Sequence, residues 1–347
     1  MKSVPGLEPP TSKSPRSLAT ILLIALPTIL FLLSFLLGRY PVEPITVIKV
    51  IAAQFLPIAQ DWPPVVGSVV LDVRLPRVLA AMVVGGGLAL AGACYQGVFR
   101  NPLVSPFTLG VSAGAGFGAA VAILLFGERY ATQACAFAFG LLAVAMCFAM
   151  NRFFRLNSTI ALVLGGIIVG SLFTALLSLL KYVADPNSKL PVIEFWLLGS
   201  LSSVSTSDLV PVLVVTIPCV AGLLALRWRL NVLAMGDEQA RIMGVEVARL
   251  RLVMILLSTL IAASAVSISG IIGWVGLVIP HFARILVGPD FRRLLPATLS
   301  LGACYLLIID DVARTVTAAE VPLGILTALI GAPVFMLLLG RGRLGWA

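Results

Sequence analysis

Apolar runs separated by short polar connections recur from one end of this chain to the other. A helix needs about 20 predominantly apolar residues to cross the hydrocarbon core of a bilayer, and a run of that length with few charges indicates a spanning segment. Such runs lie at about 18–38, 76–98, 106–126, 132–152, 159–180, 207–226, 251–270, 274–288, 294–312 and 321–340. The sequence therefore predicts an all-α, polytopic membrane protein with ten transmembrane helices.

The composition excludes a soluble globular domain of this length. Of the 347 residues, 60% are hydrophobic and only 11% are charged, whereas a soluble domain carries about 25% charged residues. The net charge of +9 does not indicate nucleic-acid binding, because basic patches with interleaved aromatic residues are absent. The first run is too long for the core of a signal peptide and no small-residue cleavage site follows it, so we expect a retained helix.

The distribution of charge orients the predicted helices. An even number of spans puts both termini on one side, and the connections on that side hold 16 of the 24 basic residues but five of the 15 acidic ones. Cytoplasmic loops are enriched in Lys and Arg, so we expect cytoplasmic N- and C-termini. The predicted organisation is a disordered cytoplasmic tail at 1–17, one transmembrane domain at 18–340 and a second cytoplasmic tail at 341–347.

One strongly polar segment, 227–251, interrupts the second half of the chain on the predicted cytoplasmic side. Gly236 and Gly244 bracket a stretch that is long enough for one or two helical turns, with Asp237 placed to cap the first. Charged residues on one side of this stretch and apolar residues on the other are typical of a docking element. The alternative is an ordinary solvated loop between two membrane helices.

The residues needed for catalysis or metal binding do not converge. The only histidine, His281, has no Ser-His-Asp or metal-ligand pattern around it, and the Gly-rich stretch near residue 115 lacks the Lys of a phosphate-binding loop. The five cysteines stand apart in apolar runs and are expected to be buried, not paired or metal-bound. Residues 274–288 form a short span interrupted by Pro280, and Asp310 lies one helical turn from Arg314 and could pair with it.

Four long stretches resemble the FecCD family of permeases, which are type II ABC importer subunits for vitamin B12, haem and ferric siderophores. They begin RLPRVLAAMVVGGG at residue 74, LNVLAMGDEQARIMGV at 230, SGIIGWVGLVIPHFAR at 269 and DDVARTVTAAEVPLGIL at 310. The resemblance covers the chain from about residue 18 to its end, in the same order and spacing. Because four long stretches match together, the resemblance is specific.

The resemblance implies a set of partners in the cytoplasmic (inner) membrane. We expect a second permease copy forming a homodimer, or a closely related permease forming a heterodimer. Two ATP-binding subunits are expected below this pair, and a periplasmic or lipid-anchored substrate-binding protein above it. ATP and Mg²⁺ would be used by the partner ATPase, so that this chain binds no cofactor and no metal and has no catalytic site. Membrane lipids surround it, and no nucleic acid is expected.

The resemblance also implies roles for three groups of residues. Coupling to the ATPase is expected at Asp237, Glu238, Gln239, Ala240, Arg241 and Gly244. A cytoplasmic gate is expected at Asn101, Leu103, Ser158 and Thr159. Docking of the binding protein is expected at Arg74, Arg77 and Arg314, which the topology places on the outer side.

The cargo and two other functional classes stay open at this point. A ferric siderophore or other iron complex is the favoured cargo, with haem, cobalamin and molybdate or tungstate as alternatives. A secondary transporter is less favoured, because proton-coupled carriers place acidic residues near the middle of the bilayer and none is found there. An intramembrane enzyme is the third alternative.

Overall fold

A computed structural model describes residues 15–154, 159–317 and 319–340, and within them the chain is helical with no β-strand. The helices are α1 Pro15–Ser34, α2 Pro44–Ala52, α3 Pro64–Ser68, α4 Leu75–Phe99, α5 Val111–Leu125, α6 Arg129–Phe153, α7 Thr159–Val183, α8 Lys189–Leu198, α9 Thr206–Ala234, α10 Asp237–Ile242, α11 Val247–Ser269, α12 Val275–Val287, α13 Phe291–Thr315 and α14 Leu323–Gly340. A π-helical stretch, Val69–Arg74, joins α3 to α4, and a 3₁₀ turn, Pro106–Leu109, precedes α5.

Six helices in the described part of the chain are long and apolar enough to cross a bilayer. They are Pro64–Phe99, Arg129–Phe153, Ile160–Val183, Thr206–Ala234, Val247–Ser269 and Phe291–Thr315. Four shorter apolar helices are Ala25–Ser34, Val111–Leu125, Val275–Val287 and Leu323–Leu338. A helix therefore forms in each of the ten predicted runs, while ten membrane crossings and the orientation of the termini stay predictions.

Helix α4 is the centre of the bundle. Nearly all its side chains are buried, and α9, α11, α12 and α13 pack around it. Close approach depends on glycine: a Cβ at Gly85 would overlap the backbone of Gly302 on α13, and one at Gly92 would overlap Gly276 on α12. Small residues at such contacts allow helix backbones to approach closely in lipid.

Helix α5 packs on α6 in the same manner. A Cβ at Gly114 would overlap the carbonyl of Phe139, and a Cβ at Gly118 would overlap that of Cys135. Gly110, four residues before Gly114, instead ends the 3₁₀ turn with φ +83°. Gly114 and Gly118 therefore form the close contact with α6, while Gly110 serves the turn before α5.

The short span near residue 280 differs from its prediction. The sequence favoured a helix interrupted by Pro280, but α12 continues through this residue. Proline removes the N–H that would bond to the carbonyl four residues earlier, here Gly276, and this carbonyl lies against Gly92 of α4. Because Pro280 sits in the second turn, the helix loses one bond and stays continuous.

Polar contacts between distant segments define the two ends of the bundle. At one end, which we call the α10 end, Arg100 lies 3.4 Å from Asp237, and Asn231 donates a hydrogen bond to Asp290 at 2.6 Å. At the other end, Arg77 binds Asp310. Three of the polar connections predicted to share the cytoplasmic side therefore meet at one end, the α10 end.

Candidate functional site

The polar segment between α9 and α11 folds into α10 and two glycine turns. Gly236 (φ +125°) precedes α10 and Gly244 (φ +76°) follows it, and both conformations favour glycine. The predicted short helix between these glycines is therefore confirmed. The prediction that Asp237 caps this helix is wrong, because Gly236 occupies the N-cap position and the Asp237 carboxylate binds an arginine instead.

Helix α10 projects a mixed polar and apolar surface from the α10 end. Ala240 is fully buried and anchors the helix to the bundle core. Three polar side chains of the helix are exposed: Glu238, Gln239 and Arg241. Ile242 is 81% exposed, and Met243 beside it is half exposed. Exposed apolar side chains next to charged ones on a short projecting helix are suited to contact with another protein.

Asp237 joins α10 to two long helices. Its carboxylate accepts hydrogen bonds from Arg251 Nη2 of α11 at 2.8 and 2.9 Å, and it lies 3.4 Å from Arg100 Nη2 at the end of α4. Partial burial by itself would raise the pKa of Asp237, but the hydrogen bonds and charge of Arg251 together with the charges of Arg100 and Arg241 hold it below its usual range. One ionised carboxylate therefore ties α10 to both α4 and α11.

The candidate gate begins directly after this link. Asn101 Oδ1 accepts a hydrogen bond from the Leu103 backbone N–H at 2.9 Å, which tightens the turn around Pro102. Arg100, at the start of the turn, adopts a left-handed conformation with φ +51°. Leu103 is left 56% exposed at the tip of the turn.

The chain after Leu103 packs closely on α7. A Cβ at Gly166 of α7 would overlap the backbone of Thr108 in the 3₁₀ turn. Thr159 is the first residue of α7 and only its backbone is described, while Ser158 lies outside the described residues. The convergence of Asn101 and Leu103 with these two residues at a gate stays a prediction.

The opposite end of the bundle contains a network of charged side chains centred on Arg77. Arg77 of α4 donates to both carboxylate oxygens of Asp310 on α13, at 3.0–3.1 Å. It also donates to both oxygens of Glu320, in the loop after α13, at 2.9 Å. A planar guanidinium suits such paired hydrogen bonds, and Arg77 uses them to hold two carboxylates at once.

Arg314 extends this network to α1. It donates to Asp311, and to the hydroxyl and backbone carbonyl of Ser34 at 2.6 and 2.8 Å. Ser34 in turn donates to Asp311 at 2.6 Å. The predicted pairing of Arg314 with Asp310 is present at 3.8 Å, but Asp311 is the closer partner.

All three arginines expected to dock a partner are buried. Arg74, Arg77 and Arg314 are 3%, 6% and 5% exposed, and Arg74 donates to the backbone carbonyls of Phe35 and Tyr40. The sequence correctly placed the three at one end of the bundle. Their guanidinium groups nevertheless face acceptors of the same chain, so that a docking partner would have to compete with these acceptors.

Sequence reasoning missed Glu320 and the partners of Asp237. The signal for Glu320 was weak: it is the only acidic residue between the last two apolar runs. Arg251 lies on α11, beyond α10 and the turn that follows it, and Arg100 lies at the end of α4, with five helices between it and Asp237. Such pairs depend on how the helices pack, and local spacing does not reveal them.

No cluster suited to metal binding occurs within residues 15–154, 159–317 and 319–340, where no three His, Cys, Asp or Glu side chains lie together. His281 is buried and its ring packs edge-on against Phe335, with 5.3 Å between ring centroids. Four of the five cysteines are buried, Cys135 is partly exposed, and none forms a disulfide.

Comparison with known proteins places this architecture among permeases. The chain is 43% identical over 331 residues to the "Molybdate import system permease protein MolB" of Haemophilus influenzae, covering 92% of this chain and 97% of that protein. It is 41% identical over 275 residues to a "Probable iron chelatin transport system permease protein" of Helicobacter pylori (strain 26695), covering 79% of this chain and 83% of that protein.

A solved structure agrees with these sequence relatives. A protein solved in an inward-facing conformation, titled a "metal-chelate type ABC transporter", superposes with a TM-score of 0.83 at 42% identity, covering 94% of this chain and 99% of that one. The model of the FecCD transport family matches residues 24–341. With this match and two relatives above 40% identity, the chain belongs to the FecCD transport family.

Proposed function

We propose that this chain is the transmembrane permease subunit of an ATP-driven ABC importer in the cytoplasmic membrane. The observation that carries the proposal is α10, a short helix with an exposed polar and apolar surface. It is fixed to α4 and α11 through Asp237. ATP hydrolysis belongs to a separate partner subunit, and α10 is the element of this chain that contacts it.

The contacts of Asp237 define a route from α10 to the gate. Closure of two ATPase subunits would move α10, and the ion pairs to Arg251 and Arg100 would pass this movement to α11 and to the end of α4. Asn101 and Leu103 follow Arg100 directly, so the turn that carries them would move with it. In a homodimer, two copies of this turn would open or close the path to the cytoplasm together with Ser158 and Thr159.

The coupling role is tested by a substitution on the exposed face of α10. Ile242→Asp places a charge where an apolar side chain would be buried against the ATPase, so we expect loss of ATPase co-purification and of transport with normal membrane insertion. Phe55→Asp is the matched control, because Phe55 is 84% exposed near the opposite end. Retention of the ATPase by Ile242→Asp would refute α10 as the contact.

The proposed cargo is a ferric siderophore or another iron complex. The iron chelatin permease relative supports this assignment, while the MolB relative favours molybdate or tungstate as the second candidate. Haem and cobalamin stay as further alternatives. The ligand retained by the purified cognate binding protein, followed by uptake of that ligand labelled with radioactive iron or molybdenum into proteoliposomes, separates these cargoes.

Docking of the binding protein at Arg74, Arg77 and Arg314 is proposed to require competition with the acceptors inside this chain. Glu320 is the most accessible of the three carboxylates that bind Arg77 and Arg314, with a side chain 27% exposed against 0% for Asp310 and 11% for Asp311. Glu320→Gln removes one competing carboxylate from Arg77, so we expect tighter association with the binding protein, most clearly at low salt. Unchanged affinity would assign Arg77 a purely structural role.

An ATP-driven importer and a secondary transporter respond differently to an uncoupler. If ATP supplies the energy, uptake persists when the proton gradient is collapsed and ATP is maintained. Uptake that fails under these conditions would identify a secondary transporter. The distinction is measured in proteoliposomes that contain the permease, its ATPase and the binding protein.

A further inference from the structure

A polar cavity lies between α9 and α11 at the α10 end, next to the turn that follows α10, and Met243, Gly244 and Val245 of this turn form one side of it. Its volume is about 530 Å³. Leu226, Leu250 and Val253 form an apolar part of its wall, and Arg229 and Arg249 line it with positive charge. None of the proposed coupling, gating or docking steps uses these arginines.

The two helices close above this cavity. A Cβ at Gly222 of α9 would lie 3.0 Å from Leu257 of α11, so the helices are in close contact there. The cavity begins about one helical turn nearer the α10 end, between Leu226 and Val253. Its apolar part therefore lies next to the membrane-crossing portions of α9 and α11, and its charged part lies toward the polar connections.

Glu246 also lines the cavity, so that two arginines and one carboxylate leave its wall with a net positive charge. Arg229 is exposed and makes no ion pair with any described residue of the chain. Arg249 has one acidic neighbour, Glu246, at 3.9 Å, and the two side chains are 80% and 74% exposed. An exposed pair at that distance is weak, so both guanidinium groups are available to a ligand.

Trp228 adds an aromatic side chain to the rim and is 44% exposed. Tryptophan is enriched where a bilayer's hydrocarbon core meets its headgroups, because the ring is apolar and its N–H can still reach water. Arg229 is the next residue of α9, so the indole and the guanidinium lie at the same level of the helix. This pairing of an aromatic ring with a cation suits the depth of the headgroups.

We propose that this cavity binds the phosphate headgroup of an anionic phospholipid such as phosphatidylglycerol. Arg229 and Arg249 would hold the phosphate oxygens, for which the planar guanidinium is well suited. Leu226 and Val253 would contact the glycerol and the first acyl carbons. A free phosphate ion would use the same arginines, but it would gain nothing from the apolar wall and Trp228, so these features favour a lipid. Basic pockets between membrane helices are suited to anionic headgroups.

The test uses the full-length permease in nanodiscs of phosphatidylcholine, with and without phosphatidylglycerol, and native mass spectrometry to count the retained anionic lipids. Because each basic residue near an anionic surface contributes about 1 kcal/mol, we expect Arg229→Gln and Arg249→Gln each to weaken retention about fivefold, and the double variant about 30-fold. Arg292→Gln with Arg293→Gln is the control, since these arginines are exposed at the same end but outside the cavity.

Equal retention by the cavity and control variants would refute the lipid site. A second arm adds inorganic phosphate at millimolar concentration to nanodiscs that contain phosphatidylglycerol. Displacement of the lipid by free phosphate would overturn the proposal in favour of a soluble anion. Variants that keep the lipid but no longer assemble with the ATPase would assign the arginines to that protein interface and equally refute the lipid site. Thermal unfolding of each variant checks that the bundle is intact.

Discussion

The turn after α10 depends on the backbone of a single residue. Gly244 has φ +76°, yet a Cβ built on it would have no neighbouring atom within 4 Å. The surroundings of Gly244 are open, so the constraint on this turn lies in the backbone conformation and not in side-chain space. A non-glycine residue in this conformation costs about 1–2 kcal/mol, and asparagine tolerates it best.

The left-handed backbone of Gly244 distinguishes two substitutions of similar size. Gly244→Leu should shift the turn and reduce transport per ATP hydrolysed, with membrane insertion intact. Gly244→Asn should stay close to the wild type, because its short polar side chain accepts the left-handed region. ATPase activity and uptake in reconstituted complexes check both variants. Equal coupling in the two would show that this backbone conformation is not needed.

Asp237 gives the fold a defined dependence on pH. Its pKa is lowered in the folded chain, so the stability that it contributes is present above its unfolded pKa of about 4 and is lost as the pH falls through the folded value. Asp237→Asn removes this contribution. We therefore expect the wild type to unfold at a higher temperature than the variant at pH 7, and the gap to shrink below about pH 4. A gap that is constant down to pH 3 would contradict the ionised pairing.

At the scale of elements, the contact between α4 and α13 combines glycine packing with buried charge. Gly85 and Gly302 bring the backbones together, and Arg77 binds Asp310 near the end of the same contact. A buried ion pair is weak evidence for net stability, but removal of one partner leaves a buried charge uncompensated and costs about 3–5 kcal/mol. Breaking this pair should therefore loosen α4 from α13.

The stability lost when a carboxylate of this network is removed is expected to depend on how deeply that carboxylate is buried. Asp310→Asn should destabilise the purified permease by about 3 kcal/mol, because Arg77 and Arg314 stay buried without their shared carboxylate. Glu320→Gln is the control, and we expect a cost of about 1 kcal/mol or less since that carboxylate is partly exposed. Thermal unfolding in detergent measures both. Similar losses in the two variants would contradict the central role of Asp310.

At the scale of the whole molecule, large apolar faces remain uncovered within the described chain. In the most apolar 18-residue stretches of α6, α7 and α9, only 28–33% is buried, whereas 83% of the corresponding stretch of Pro64–Phe99 is buried. Lipid and a second copy of the chain can cover these faces. The proposed homodimer and its gate therefore make a prediction about contacts between copies.

A cysteine at the tip of the gate turn tests this arrangement. Leu103→Cys, in a background without the native cysteines, should crosslink between subunits in one nucleotide state and not in another. Arg292→Cys, exposed at the same end on α13, is the control and should not follow the nucleotide state. If the Leu103→Cys variant crosslinks equally in every nucleotide state, or does not crosslink at all, this turn lies away from the dimer axis.

The sequence by itself determined the helical elements, their order and the family. Apolar runs of membrane length have few alternatives to a helix, because each backbone N–H and C=O must find a partner within the segment. The helix after Gly236 and the glycine contacts of α4 could be predicted for similarly local reasons. Helix α8 was not predicted, since the polar connection around it carries no periodic pattern.

Only the tertiary structure decided which charges meet. Asp237 binds Arg251 and Arg100, Arg77 lies between Asp310 and Glu320, and the cavity beside Arg229 exists because α9 and α11 separate below Gly222. Each of these depends on the relative rotation and depth of helices, which side-chain packing sets and hydropathy does not encode. The sequence predicted that Arg74, Arg77 and Arg314 share one end of the bundle, but their burial could be known only once α1, α4 and α13 were packed together.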